Sequence, residues 1–429
     1  MSDRADVRTK RPSVAVIGSG VSGLTAAYLL APTHEVFLFE ADNRLGGHAH
    51  THTVVDPKNS RLKVDSGFIV HNDRTYPWLR KLFAELHVEV RPTEMSMSIH
   101  CEECGLEYAG GRGLSGILAQ PTRLFDVNYL RLLLQVRRFH RSATAYMRTH
   151  GPADLTTFGT FLQNEGFSEH FISHYAIPVV SCVWSSGSAH AMQYPAQYLF
   201  RFLDQHGLLR VKGSPQWYTV VGGSNVYVEK IAARLSNVHT SRAVIGLARK
   251  NGGVEIHDID GAVTHVDKVV IATHPHQALK ILLDPTTEES KILAAFEYSP
   301  NTTVLHNDNT HLPVNRSARA SWNYKMSSCA SPDTPPVVTY WMNRLQGLNS
   351  AHEYLVTLNA TQNIDPAKVL AVMEYEHPVY TAQSVAAQSK LPTLATETTV
   401  YAGAYHGWGF HEDGCRSGVA AAEHYGARW

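Results

Sequence analysis

The chain has 429 residues, 44% hydrophobic and 18% charged, with 38 Lys+Arg against 38 Asp+Glu. That length exceeds the roughly 250–300 residues at which one core divides, so two domains are expected, and the balanced charge excludes the basic footprint of a nucleic-acid binder. No apolar run reaches the ~18 residues of a membrane span, residues 1–12 lack the apolar core of a secretory signal, and five cysteines make no disulfide framework, which points to a reducing cytoplasm.

Residues 14–17, Val-Ala-Val-Ile, are short, apolar and largely β-branched, the pattern of a strand buried on both faces. Gly18-Ser19-Gly20-Val21-Ser22-Gly23 follows at once, then a helical period over 24–30 and a second apolar strand over 36–39 that ends on Glu40. Each piece has a task in a dinucleotide-binding βαβ unit. Gly18 permits the tight turn, Gly20 lets backbone approach a pyrophosphate, and Gly23 lets the helix pack on the strand. The helix N-terminus at Val21 and Ser22 presents N–H groups and a positive dipole to the phosphates. Glu40 ends the second strand, where a carboxylate can accept hydrogen bonds from ribose hydroxyls. Such glycines also recur in ordinary turns; the strand, helix and acid together favour the dinucleotide.

Glu40-Ala41-Asp42-Asn43-Arg44-Leu45-Gly46-Gly47-His48 resembles the Arg-x-Gly-Gly signature of the flavin-containing amine oxidase superfamily. The resemblance implies that Arg44, Gly46 and Gly47 extend the diphosphate cradle of FAD, with Ala41 and His48 among the cofactor contacts. An NAD-only domain has no need of this second element. His50 and His52 lead into an expected hairpin with its turn at 56–59; they lack further ligands at useful spacing, and no metal is expected. Residues 64–70 match the family's second flavin-side strand, which implies that Gly67, Phe68 and Ile69 pass near the isoalloxazine.

A helix over 76–86 and a strand over 88–97 precede Cys101-Glu102-Glu103-Cys104-Gly105. A zinc ribbon needs a second pair of ligands and a redox dithiol a helix start, so this CxxC reads as a structural turn at a hairpin tip. Residues 129–150, with Leu130, Leu133, Leu134, Arg137, Arg138 and Arg141, read as an amphipathic helix that either faces a core or touches an anionic lipid surface. Helices over 155–165, 169–175 and 198–205 complete a mainly helical segment. A helix over 226–235, hairpin strands over 240–248 and 253–259, and a buried strand over 266–273 follow, then strands over 337–341 and 354–359. The family resemblance implies adenine-side backbone contacts at Val244.

Near the end, 400–404 is a strand leading to Gly403 and Ala404, and Gly407-Trp408-Gly409-Phe410-His411-Glu412-Asp413-Gly414 opens a helix. This resembles the family's last FAD motif and implies that Gly403, Ala404, Phe410 and His411 face the flavin. Relatives often carry an acid where Ala404 stands. No cysteine lies at a tether position, so the FAD is expected to be noncovalent. His411 and His406 are the candidate proton acceptors, the alternative being that each only hydrogen-bonds the flavin or the loop.

The fold implied is α/β: a Rossmann-like FAD-binding domain of 12–77, 206–281 and 395–429, interleaved with an α+β substrate-binding domain of 78–205 and 282–394. The motifs at 46–51, 64–68 and 409–414 look like a bacterial branch also seen as the amino-terminal oxidase-like portion of plant cyclopropane fatty acid synthases. Three readings stay open: a flavin oxidoreductase acting on a fatty acyl or phospholipid chain, an amine or amino-acid oxidase releasing peroxide, and a flavin-bearing partner of a lipid methyltransferase. Membrane contact would be peripheral at most.

Overall fold

The structure, a computed structural model, describes residues 11–429 apart from 59, 211–212, 251 and 331–334. The chain divides into two compact units. The first takes the described residues up to Gly47, with Tyr227–Ala294 and Gln388–Trp429; the second takes His48–Val226 and Ala295–Ala387.

In the first unit, β1 (Ser13–Ile17) is the middle strand of a five-stranded parallel sheet. On one side lie β2 (Glu35–Phe39) and the strand Asn237–His239, on the other Lys268–Ile271 and Thr399–Tyr401. Val14, Ala15, Val16, Leu38, Val269 and Val270 are fully enclosed, as a sheet covered on both faces requires. Helix α1 (Val21–Leu30) connects β1 to β2 and is buried at all but one of its ten residues. Glycine makes this closeness possible: a Cβ on Gly23 would fall 2.0 Å from the Gly18 carbonyl oxygen, and one on Gly418 would fall 2.3 Å from that of Ser22. The C-terminal helix His411–His424 therefore lies directly on α1. An antiparallel sheet of Val244–Lys250, Gly253–Asp258 and Val263–Val266 completes the unit's strands.

The second unit is built on a seven-stranded sheet in the order Val369–Val379, Glu297–His306, Leu355–Leu358, Val337–Trp341, Trp322–Met326, Met97–Cys101 and Glu107–Gly110. All neighbours are antiparallel except Trp322–Met326 with Met97–Cys101. Its helical part centres on Phe139 of the long helix Val127–Thr149, whose ring meets those of Phe158, Phe161, Phe171 and Phe200 at centroid separations of 5.7–6.3 Å. Asp126 caps that helix, accepting from the N–H groups of Asn128 and Tyr129.

Several expectations change. The strand expected over 88–97 is two: Val90–Thr93 pairs with Trp217–Val220, and Met97–Cys101 joins the large sheet. Pro92, which offers no ladder donor, sits in the first of them. The compact units also divide differently from the expected domains. Residues 48–77 and 206–226 lie in the second unit, and 282–294 and 388–394 in the first. A buried knot holds the first two of these stretches within the second unit. The Asp65 carboxylate accepts from Ser224 N (2.9 Å), Ser224 Oγ (2.8 Å) and Gln346 Nε2 (2.8 Å), tying three distant stretches together. Asn59, in the expected turn, lies outside the described residues.

Candidate cofactor-binding site

The cradle of the first unit is made of main chain. Gly18 turns at φ +98°, where a Cβ would lie 2.8 Å from the Ala272 carbonyl oxygen. Gly20 then caps α1 with no side-chain hydrogen bond and no acid in the first turn. The first intrahelical bond is from Leu24 N to Gly20 O (2.9 Å), so the N–H groups of Val21, Ser22 and Gly23 have no acceptor within the helix. A Cβ on Gly20 would meet no atom within 4 Å. Open space beside uncapped donors at a dipole's positive end suits a diphosphate.

The Arg-x-Gly-Gly segment folds back onto this loop. Gly46 N donates to Ser19 O (3.1 Å), Arg44 Nη1 donates to Gly47 O (2.9 Å), and a Cβ on Gly47 would stand 3.2 Å from Gly20 Cα. Glu40 turns its carboxylate to the same loop, accepting from Ser19 N (2.9 Å) and Ser19 Oγ (2.5 Å) through one oxygen and Asp42 N (2.9 Å) through the other. Ala41 is an exposed turn residue beside it. Arg242 N donates to Glu40 O (2.8 Å), which brings the start of the strand at Val244 to the same end of the sheet.

The C-terminal motif is held by its own polar network. Ser417 Oγ accepts from Gly403 N (2.9 Å), and Gln388 Nε2 donates to Tyr405 O (3.0 Å) and Gly407 O (2.6 Å). Asp413 accepts from Trp408 N (3.0 Å) and Phe410 N (3.2 Å) and pairs with Arg416 (3.0 Å). Burial pushes its carboxyl up to about 6, over the opposing pull of Arg416 and the two N–H groups. Ala404 opens the short turn Ala404–His406 and, as expected, brings no acid to it.

The two histidines differ. His411 begins the C-terminal helix with its Nε2 3.2 Å from Tyr227 Oη. His406 Nε2 is enclosed without a hydrogen-bond partner among the described residues. Burial, helped by Arg416, holds that ring's pKa down to about 4, so it is neutral at physiological pH. Tyr405 is 1% exposed, and a Cβ on Gly403 would lie 2.2 Å from its ring, so it packs the loop from within.

His48, Gly67, Phe68 and Ile69 come together in the second unit. Phe68 N donates to His48 O (2.7 Å), and a Cβ on Gly67 would fall 2.2 Å from that oxygen. Tyr375, 309 positions from Ser66, escapes any local pattern yet organises the neighbourhood. Its Oη meets His50 Nδ1 (2.9 Å) and Ser66 Oγ (2.8 Å), and Ser66 Oγ meets His52 Nε2 (2.9 Å). Hydrogen bonding thus occupies these histidines.

Fold and cradle together define a flavoprotein. Residues 21–348 match the model of the flavin containing amine oxidoreductase family, more than two thirds of the chain. The chain belongs to that family of FAD-dependent oxidoreductases, and its cofactor is FAD. A putrescine oxidase solved with putrescine bound superposes with a TM-score of 0.68 at 14% identity, covering 97% of this chain and 99% of that one. A CLA-producing fatty acid isomerase from P. acnes gives 0.67 at 16% identity, covering 97% of each. At such identities these likenesses show the shared fold. Tryptophan 2-monooxygenase of Allorhizobium ampelinum is 56% identical over 46 residues, which are 10% of this chain and 6% of that enzyme.

Proposed function

We propose that the chain is a flavin-dependent oxidoreductase acting on the acyl chain of a fatty acid or phospholipid, removing two hydrogens, one as hydride to the flavin and one as a proton released to water. Bound FAD supplies the electron sink. The loop Gly18–Gly23 with Arg44, Gly46 and Gly47 holds its diphosphate, Glu40 its ribose, and Val244 the adenine side. In the first unit, Gly403, Ala404, Phe410 and His411 are the residues we assign to the flavin end of the cofactor.

The observation that carries the lipid reading is the solvent face of the helix Val127–Thr149. Tyr129, Leu132, Gln135, Phe139 and Ala143 are its buried face. At 3.6 residues per turn, Val127, Leu130 and Leu134 fall on the opposite side, with Arg131, Arg137, Arg138 and Arg141 around them. Val127 is 76% exposed, Leu134 66%, and Phe125 just before the helix 91%. Apolar side chains among arginines on a water-facing helix match the charge and depth of an anionic lipid surface. The fatty acid isomerase on the same fold supports an acyl substrate. No helix among the described residues is long and apolar enough to cross a membrane, so the contact proposed is peripheral.

Amine oxidation is the second reading, favoured by the putrescine oxidase on the same fold. With Tyr405 packed inside its loop, an aromatic cage in the first unit would rest on Trp408 and Phe410. His406, held near 4, is a poor match for a base working near neutrality, and His411 is engaged with Tyr227; we assign His411 a hydrogen-bonding role and His406 no part in proton transfer. The test is anaerobic mixing of the purified flavoprotein with acyl lipids in anionic or neutral vesicles and with a panel of amines. Flavin bleaching by acyl lipid, faster on anionic vesicles, is expected. Bleaching by an amine, with peroxide on re-aeration, would overturn the reading. Bleaching by neither would leave the role of partner to a lipid methyltransferase.

A further inference from the structure

The CxxC expected as a plain turn does sit at a hairpin tip, between Met97–Cys101 and Glu107–Gly110. Two further ligand-type residues converge on it from far along the chain. Cys101 Sγ lies 3.7 Å from Sγ of Cys329, 228 positions away, and Cys104 Sγ lies 3.7 Å from Nε2 of His174, 70 positions away. All four ligand atoms fall within 4.8 Å of one another. We propose that Cys101, Cys104, His174 and Cys329 bind a structural zinc ion in the second unit.

Geometry carries the argument. Four ligands at zinc–sulfur distances of about 2.3 Å stand about 3.8 Å apart along the edges of a tetrahedron. The two 3.7 Å separations match such edges. Three cysteines and one histidine form a closed donor set with no position left for water or substrate, which makes the site structural.

The histidine is already oriented as a ligand. Its Nδ1 lies 3.1 Å from the His170 carbonyl oxygen and 2.8 Å from Ser173 Oγ. Donation from Nδ1–H to that carbonyl leaves the Nε2 lone pair facing the sulfur atoms, the outer hydrogen bond that fixes the tautomer of metal-bound histidines. His174 sits in the π-helical turn Ile172–Ala176, an insertion of the kind that often re-aims a side chain at a site. Tyr108 Oη donates to His174 O (2.8 Å) and holds that turn to the hairpin.

The turns fit as well. Gly105, at φ +65°, takes the left-handed conformation that curls the chain behind Cys104. Cys329 N donates to Glu103 Oε2 (2.7 Å), fixing the loop after Trp322–Met326 to the CxxC. Three thiolates and a dication leave one net negative charge, and the Arg123 guanidinium, donating to Cys104 O, stands beside it. On binding, each thiol gives up its proton and forms a bond to the metal, with no change of oxidation state. The ion would cross-link three stretches of chain that no disulfide joins.

The full chain, purified from zinc-supplemented cells, should carry about one zinc per chain by mass spectrometry of the metal. Exchange with cobalt should give the intense visible bands and thiolate charge transfer of a tetrahedral sulfur-rich site. His174→Ala and Cys329→Ser should lose the metal, while His174→Cys should keep it; that rescue separates ligand loss from misfolding. Flavin content is read in parallel, so failure of the cofactor assignment leaves the metal result intact. Folded wild-type protein free of zinc, a tetrahedral iron in its place, or an intact mass two hydrogens lighter with a disulfide among these cysteines would each overturn the proposal.

Discussion

The nucleotide cradle of the first unit and the cysteine–histidine cluster of the second are built on opposite principles. The cradle is made of main chain and of missing side chains: uncapped N–H groups at Val21 to Gly23 and space where Gly20 carries no Cβ. The cluster is made of side chains alone, delivered by a hairpin, a π-helical turn and a loop. A main-chain site tolerates most substitutions around it and fails where a side chain intrudes. A side-chain cluster fails when any one donor is removed, whatever the backbone does.

The largest expected effect tests the first half of that contrast. Gly20→Val should abolish FAD retention, because the new side chain would enter the space in front of the helix N-terminus. The readout is the visible flavin spectrum of the purified variant and of the same protein incubated with FAD. A yellow, normally loaded Gly20→Val protein would show that the diphosphate lies elsewhere.

A second prediction concerns side chains that hold the first unit together without touching the cradle. Glu289 is 2% exposed and accepts from Arg249 Nη1 (2.6 Å), Tyr401 Oη (2.6 Å) and Thr286 N (2.8 Å). Glu289→Gln should cost about 1.5–3 kcal/mol of stability, the worth of hydrogen bonds to a charged acceptor, since Arg249 keeps Asp284 but loses its enclosed carboxylate; chemical denaturation measures this. Burial alone would raise the Glu289 carboxyl, but the hydrogen bonds of Arg249, Tyr401 and Thr286 outweigh it and hold it at about 2. A depressed folded pKa means the stabilisation is complete above the ordinary value near 4.5 and is lost as pH falls toward 2. The wild type should therefore lose more stability than the variant between those pH values. Equal losses would remove this carboxylate from the acid response.

Glu40→Ala should weaken FAD binding by about 1.5–3 kcal/mol, the worth of hydrogen bonds to a charged acceptor, read by titrating apoprotein with FAD. The variant also deprives Ser19 N of its carboxylate acceptor. Glu40→Gln, which keeps an acceptor oxygen, should recover part of the loss. Unchanged affinity would place the ribose away from β2.

How much of this was legible follows from the same contrast. The segment from β1 to Gly47 is continuous, so the spacing of Gly18, Gly20, Gly23 and Glu40 and the apolar runs beside them report the whole βαβ unit. The parallel sheet followed from it, whereas the close packing of the C-terminal helix on α1 through Gly418 is seen only in the fold. The CxxC looked incomplete because His174 and Cys329 are near it only in the folded chain. Tyr375 was invisible for the same reason, as was the Asp65–Ser224–Gln346 knot of the second unit. The split of 88–97 falls at 94–96, between Val90–Thr93 and Met97–Cys101, and a strand period cannot say which sheet a segment joins.

The smallest expected effect decides the part played by the histidines. Tyr227 is fully enclosed, with its Oη 3.2 Å from His411 Nε2. Tyr227→Phe removes the contact to His411 and keeps the ring, so it should cost about 0.5–1.5 kcal/mol of stability. If His411 only anchors the start of the C-terminal helix, flavin reduction by substrate should stay within a few-fold of wild type and its pH profile should not move. If His411 is the proton acceptor, losing Tyr227 Oη should shift the acid limb of that profile, and His411→Ala should slow reduction by about 10²–10⁴ with flavin content intact. His406→Ala is the companion. A neutral ring whose enclosed Nε2 has no partner among the described residues should be replaceable with full FAD and near-normal reduction. A collapse of its reduction rate would instead make His406 the base, working far above a pKa near 4 and so deprotonated throughout the neutral range.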